Sequence, residues 1–192
     1  MGFFSFLRRS ARGFGQTGAA YAVDQFDEVV KLEDIPQSSV GAPIPLVLAS
    51  ENSVFVAYYL QNTPKEWDGR TVKIVSSETT GEPSCLIRFD LCTVHVFGPP
   101  NDEAFAGHPL TTRGLRPYSA YEVVNSSWLR NLERMNSVHP YHNKTRFMNG
   151  RRHFILTFHD STFECIAEGF AVENFQEPVA DVIAQAIEQL RG

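Results

Sequence analysis

The sequence predicts an α+β domain with a mainly antiparallel sheet. Three observations predict it: segments with the two-residue period of strands come first, a helical pattern with a capping signal lies in the middle, and an amphipathic helical pattern ends the chain. A chain of 192 residues with 43% apolar residues can bury one sizeable core. We therefore expect a single domain over residues 21–192, preceded by a basic and aromatic N-terminal arm over residues 1–20.

The first half of the chain is predicted to hold one short helix and several strands. Residues 21–32 place Val23, Phe26 and Val30 on one side of a helix. Runs rich in β-branched and aromatic residues then predict strands. These strands cover residues 46–49, 54–61, 71–76 and 86–97.

Two helices are predicted further along the chain. The sequence "SAYE" at residues 119–122 is typical of a capping box, in which the Ser and Glu side chains satisfy free amides at the start of a helix. Apolar residues at helical spacing follow: Tyr121, Val124, Trp128, Leu132 and Met135. This capped central helix should end before Pro140. A second, amphipathic helix is expected at residues 178–190, packed on the sheet.

Residues 153–167 predict a β-hairpin with residues 160–161 as its turn. In this register Thr157 lies opposite Glu164, and Glu164 lies diagonal to His159, within reach of a long side chain. One face of the hairpin is then wholly apolar, and the other carries the histidines and Glu164. A slip of one residue would mix the two faces, which favours this register.

The loop "FGPPNDEAFAGHPL" at residues 97–110 predicts a catalytic site. Asp102, Glu103 and His108 combine two carboxylates with an imidazole, which are groups used in general acid–base catalysis. Loops rich in polar residues carry function more often than core elements do. The alternative is ordinary turn chemistry, with Asp102 as the cap of a short helical turn.

The turn "HPYH" predicts a metal site. His139 and His142 lie three residues apart, and with His108, or with His159 and Glu164, they would supply nitrogen and oxygen ligands for a divalent metal, zinc or non-haem iron. A metal-bound water would make hydrolysis a reaction open to such a site. The alternative is that these histidines cap turns or lie on the surface.

Basic residues are concentrated in one part of the chain. Between residues 113 and 152 eight basic residues accompany only two acidic ones. Because guanidinium groups bind carboxylates and phosphates well, we predict that a small polar or anionic molecule is bound. Its predicted contacts are Asn101, Arg113, Arg116 and Tyr141. The net charge of −5 argues against nucleic acid as a partner.

Three cysteines without paired spacing indicate reduced thiols and predict a cytoplasmic protein. No apolar run is long enough to predict a transmembrane segment. The arm at residues 1–20 has aromatic residues around Arg8 and Arg9, a composition suited to contact with a membrane surface or a partner protein. The alternative is a tail that packs on the domain or is mobile.

Three segments resemble a family of bacterial proteins of unknown function: "GPPNDEAFAGHPL", "NSSWLRNLERMNSVHP" and "RHFILTFHDSTFECIA". The resemblance implies no activity. Within the first segment, "FAGHP" also resembles a motif of the phenazine-biosynthesis-like isomerases, but the chain is too short for the paired domains of that family.

We therefore expect a small enzyme or ligand-binding domain with a pocket of His, Asp and Glu side chains, acting on a small polar or anionic molecule. The alternative hypothesis is a non-catalytic protein-interaction or assembly protein, in which the same residues fix loops and helix ends. Convergence distinguishes the two, because an enzyme needs several of these side chains together in one water-accessible cleft.

Overall fold

The computed structural model describes residues 22–62 and 74–191. The predicted arm at residues 1–20 lies outside the described residues. Of the strand predicted at residues 71–76, only residues 74–76 are described, and they are not in a strand. Within the two described ranges, no helix has the length and apolar character needed to cross a bilayer.

The described residues form nine strands, three α-helices and two 3-10 turns. The strands are Glu28–Leu32 (β1), Leu46–Ala49 (β2), Ser53–Tyr59 (β3), Ser84–Asp90 (β4), Val94–Gly98 (β5), Ala120–Val124 (β6), Arg152–Thr157 (β7), Thr162–Ala167 (β8) and Gly169–Phe175 (β9). The helices are Ser127–Asn136 (α1), Lys144–Met148 (α2) and Val179–Arg191 (α3), with 3-10 turns at Phe105–Gly107 and Thr111–Arg113. Neighbouring strands run antiparallel. The predicted α+β class with a mainly antiparallel sheet is confirmed.

The strands form two sheets that pack face to face. One has five strands in the order β1-β6-β7-β8-β5, and the other has four in the order β2-β3-β4-β9. Their inner faces share one apolar core, to which Val56 and Phe89 contribute from one sheet and Phe154 and Phe163 from the other. The domain boundary predicted at residue 21 stays a prediction.

Helices cover the outer face of each sheet. Trp128 and Leu129 of α1 pack on the outward side chains of the five-stranded sheet, such as Ile155. Val179 and Val182 of α3 pack on the outer face of the four-stranded sheet. The predicted C-terminal amphipathic helix is confirmed, and the layers run helix, sheet, sheet, helix.

Two predicted helix segments are strands. Residues 28–32 and 120–124 pair with each other as β1 and β6, with Val29 opposite Val123. Ala120 packs in the inner core, whereas Val123 packs on the outer face, which is the two-residue alternation of a strand. The helix predicted at residues 21–32 and the helix start predicted at Ser119 are therefore wrong, because long-range strand pairing satisfies these backbone groups instead.

The central helix starts later in the chain than the capping box at residues 119–122 predicts. Ser126 is its N-cap, and the Ser126 Oγ accepts the N–H of Leu129 at 3.2 Å. Trp128 is buried as predicted, but Met135 is 64% exposed. The helix is thus central and capped, but the capping residue is Ser126 rather than Ser119.

The strand predicted at residues 86–97 is two strands in different sheets. The chain turns at Leu91, whose φ of +50° ends the extended conformation. Phe89 before the turn is buried between the sheets, whereas Phe97 after it is 42% exposed. The turn lets the chain cross from the four-stranded to the five-stranded sheet.

The hairpin of β7 and β8 is shifted by two residues from the predicted register. Thr157 lies opposite Thr162, and Glu164 lies opposite Ile155. The turn therefore has four residues, and the N–H of Phe158 donates to the carbonyl of Ser161 at 2.8 Å. A shift of two preserves the faces, so the predicted apolar face is correct although the predicted pairing of Thr157 with Glu164 is wrong.

Candidate functional site

A buried carboxylate lies between two histidines on the outer face of the five-stranded sheet. Glu164 Oε1 is 3.0 Å from His108 Nε2, and Glu164 Oε2 is 3.0 Å from His153 Nε2. The register places His153 diagonal to Glu164 on the neighbouring strand. His108 comes from the loop after β5. All three side chains are buried, so one carboxylate holds an imidazole on each oxygen.

The hydrogen bonds continue beyond both imidazoles. His108 Nδ1 accepts the N–H of Leu110 at 3.2 Å, and His153 Nδ1 lies 2.9 Å from Ser126 Oγ. Since a backbone N–H can only donate, the proton of a neutral His108 sits on Nε2 and points to Glu164. We assign the same tautomer to His153, with the Ser126 hydroxyl donating to Nδ1. This arrangement gives each of these bonds one donor and one acceptor.

Glu164 is ionised in this network. Burial favours its protonated form, but the hydrogen bonds from His108 and His153 outweigh burial and lower the pKa of Glu164 from 4.5 to about 2. One aromatic ring packs on each imidazole: the ring centroids of Trp128 and His153 are 5.1 Å apart in an edge-on pair, and those of Phe105 and His108 are 5.8 Å apart in a stacked pair. The buried carboxylate is thus anionic, and each of its imidazole partners contacts an aromatic ring.

A cavity of about 260 Å³ adjoins this network, and Ser126 and His153 form part of its wall. It lies where β6 ends, α1 begins and β7 starts. Its charged lining residues are Glu122, Arg130, Arg151 and Arg152. Three positive charges therefore accompany one negative charge around the cavity. We call it the arginine cavity.

The three arginines differ in their partners. Arg130 binds Asp24 at 2.6 Å, and Arg152 binds Glu122 at 2.5 Å. Arg151 instead donates to Thr93 Oγ1 at 3.1 Å and to a backbone carbonyl, and no carboxylate of the described residues pairs with it. Its charge is therefore the one most available to an anion in the cavity.

A second cluster of hydrogen-bonded side chains lies on loops near the surface. Asp102 Oδ2 accepts hydrogen bonds from the hydroxyl of Tyr118 and from His159 Nδ1, the latter at 2.9 Å. The hydrogen bond from Tyr118 is the main cause that lowers the pKa of Asp102, and the hydrogen bond to Asp102 raises the pKa of His159. Burial and the bond to Asp102 raise the pKa of Tyr118 to about 12. The side chain of His159 is 39% exposed, so water reaches the imidazole of this cluster.

The structure separates the three predicted catalytic residues. Asp102 belongs to the surface cluster, His108 belongs to the buried network, and the side chain of Glu103 is exposed. Asn101 accepts the N–H of Ala104 at 3.0 Å, which is turn chemistry. Asp102 and His108 thus have different hydrogen-bond partners, and the catalytic roles of Asp102, Glu103 and His108 stay a prediction.

The predicted ligand contacts have other partners than the arginine cavity. Arg113 donates to the carbonyl of Asp27 at 2.8 Å, and Arg116 donates to the carbonyls of neighbouring loop residues. Tyr141 is 89% exposed. None of these side chains lines the cavity, and their part in ligand binding stays a prediction.

The four predicted metal ligands have separate partners. His139 accepts the N–H of Tyr141 at 3.2 Å, and His142 binds Glu133 at 2.9 Å. His159 pairs with Asp102 and Glu164 with the buried histidines, since the two-residue shift moves Glu164 away from its predicted neighbour His159. Among the described residues, no group of three or more His, Cys, Asp or Glu side chains is placed to hold a metal ion. The structure does not support the predicted metal site.

Sequence reasoning missed Ser126 and His153. The predicted helix ran through Ser126, and the predicted register paired His153 with Glu168. A two-residue shift of the hairpin, which keeps the apolar face intact, would have placed His153 beside Glu164.

Comparison with known proteins adds no relative: no family model, no curated protein and no solved structure matches the chain significantly. The resemblance to a bacterial family stays a prediction.

Proposed function

We propose that the protein is a cytoplasmic domain that binds a small anionic molecule in the arginine cavity and acts on it. The observation that carries the proposal is the lining of the cavity, where three guanidinium groups accompany one carboxylate and the buried Ser126–His153 pair forms part of the wall. A concave pocket with a few converging polar groups is the usual form of a small-molecule site, and the three guanidinium groups favour an anion in it.

The roles of the arginines follow from their partners. Arg130 and Arg152 are oriented by Asp24 and Glu122, so they are fixed before a ligand arrives. Arg151 has no such carboxylate among the described residues, and we assign it the main contact with the anion. A planar guanidinium can donate two parallel hydrogen bonds to a carboxylate or a phosphate.

The cavity volume supports a small ligand. About 260 Å³ lies below the ordinary range for drug-sized molecules, which begins near 300 Å³. The walls add two hydrogen-bonding groups, the Ser126 hydroxyl and the imidazole of its partner His153, so the ligand is expected to carry a polar group beside its charge.

Isothermal titration calorimetry tests the proposal, with inorganic phosphate and malonate as anionic probes and glycerol as the uncharged one. We expect saturable binding of at least one anion and a loss of affinity of at least about tenfold in Arg151→Ala, since a charged hydrogen bond contributes more than the roughly 1.4 kcal/mol that a factor of ten requires. Thermal melting confirms that the variant is folded.

Arg146→Ala is the matched control. Arg146 is an exposed arginine on α2 that does not line the cavity, so its removal changes the net charge equally and should leave affinity unchanged. Equal affinity in both variants, or no saturable heat with either anion, would contradict the proposal.

A further inference from the structure

The turn before α1 places a serine where a strand ends and a helix begins. β6 ends at Val124 and α1 starts at Ser127, so Asn125 and Ser126 make the whole connection. Asn125 takes a left-handed conformation, with φ of +54°, which allows so sharp a turn. Such strand–turn–helix connections present a nucleophilic serine at a helix N-terminus in one large class of hydrolases.

Ser126 also has the partners that activate a hydroxyl. His153 Nδ1 is 2.9 Å from its Oγ, and Glu164 holds the opposite ring nitrogen at 3.0 Å. A nucleophile with an adjacent base, itself oriented by a third group, is the arrangement that generates an alkoxide at neutral pH. The capping bond from Leu129 uses a lone pair of Ser126 Oγ and leaves its proton for His153.

From this geometry we infer that Ser126 is a nucleophile for acyl transfer, and that the substrate is a small carboxylic ester that also carries an anionic group. The inference rests on the proposed function, because the arginine cavity would hold the anionic group while Ser126 and His153 face the ester. The helix N-terminus and the arginines provide positive charge near the oxygen that becomes negative during attack.

The reaction is a hydrolysis in two steps. Ser126 Oγ attacks the ester carbonyl carbon while its proton passes to His153 Nδ1; the bond to the alcohol oxygen breaks, and that oxygen takes the proton from His153. Water then attacks the acyl-serine and gives its proton to His153, the bond to Oγ breaks, and Ser126 Oγ recovers the proton. Ester and water give acid and alcohol, and Glu164 stays ionised throughout.

Acylation by 4-nitrophenyl hemisuccinate, an ester with a free carboxylate, tests the inference on the full chain. We expect a burst of about one equivalent of 4-nitrophenolate per protein and a succinyl group on the peptide that contains Ser126 in mass spectrometry. The uncharged ester 4-nitrophenyl acetate should react more slowly, because it lacks the anionic group.

Two variants remove the Ser126 hydroxyl, and a third, at the adjacent serine, is the control. Ser126→Ala and Ser126→Gly should both lose the burst, and glycine keeps most of the capping preference, so helix stability changes little. Ser127→Ala removes the adjacent hydroxyl, which donates to the carbonyl of Ala22, and should keep the burst.

The experiments distinguish failure of the nucleophile proposal from failure of the anion-binding proposal. If phosphate or malonate binds in calorimetry but Ser126 is not acylated, or if another residue is acylated instead, the nucleophile is overturned and the binding site stands. If neither anion binds, the proposed function fails, whatever the ester does.

Discussion

The two carboxylate–histidine clusters of this protein use similar groups in opposite surroundings. Glu164 lies on a strand, buried, and each of its oxygens holds an imidazole. Asp102 lies on a loop, and a single oxygen serves both Tyr118 and His159, whose ring is partly exposed. Water screens the second pair more than the buried first pair, so the same pairing has different consequences for stability and for chemistry.

The difference shows how the backbone that positions the groups and their exposure to solvent together determine the properties of each cluster. In the buried cluster, paired strands fix the positions of His153 and Glu164, and an ionised carboxylate is maintained against burial. In the surface cluster, loops hold the groups, and hydrogen bonds from Tyr118 and between Asp102 and His159 lower the pKa of Asp102 and raise the pKa of His159. This contrast supports the proposal that the buried cluster, rather than the surface cluster, belongs to the ligand site.

The largest expected effect is the loss of stability when the buried carboxylate is removed. Glu164→Ala leaves two buried imidazoles without their acceptor, and breaking such a network costs roughly 3–5 kcal/mol in the free energy of unfolding. Urea unfolding followed by circular dichroism measures it, with Asp102→Ala as the matched variant from the surface cluster. An equal loss of stability in both variants would contradict the difference between the buried and the surface cluster.

This stability depends on pH in a defined direction. The pKa of Glu164 is lowered from 4.5 to about 2, so its contribution is complete above pH 4.5 and disappears as the pH falls toward 2. The difference between the wild type and Glu164→Ala should therefore shrink over that interval. A difference that is constant down to pH 2 would show that the charge of Glu164 does not stabilise the fold.

A smaller effect is expected from the surface cluster. The raised pKa of His159 means that its contribution is complete below the unfolded value of 6.5 and is lost as the pH rises through the folded value. Asp102→Asn should lower the pKa of His159, which an NMR titration of the imidazole measures directly. An unchanged pKa of His159 would mean that Asp102 does not hold it charged.

The sequence predicted what depends on periodicity. Alternation along residues 153–167 identified the apolar face of the hairpin, since Phe154 and Phe163 do lie in the shared core. The helical spacing at residues 178–190 identified α3, because nothing in that segment competes with a helix. Each of these predictions depends only on the pattern within one segment, which identifies the face that is buried.

What the sequence could not predict depends on contacts between distant segments. The capping signal at residues 119–122 is sound locally, but pairing with β1 and β7 makes those residues a strand and moves the cap to Ser126. The hairpin shift of two residues leaves its faces unchanged, so no pattern distinguishes the two registers. That shift decides whether Glu164 meets His153 or His159, and so the site could not be assembled from the sequence.

We propose that the arginine cavity and the buried Ser126–His153–Glu164 network form one site. NMR of the histidine imidazoles during addition of inorganic phosphate tests it most directly. We expect the resonances of His153 to shift to saturation, with the dissociation constant found by calorimetry, while those of His159 stay in place. A shift confined to His159, or no shift of His153 while phosphate binds, would contradict the claim.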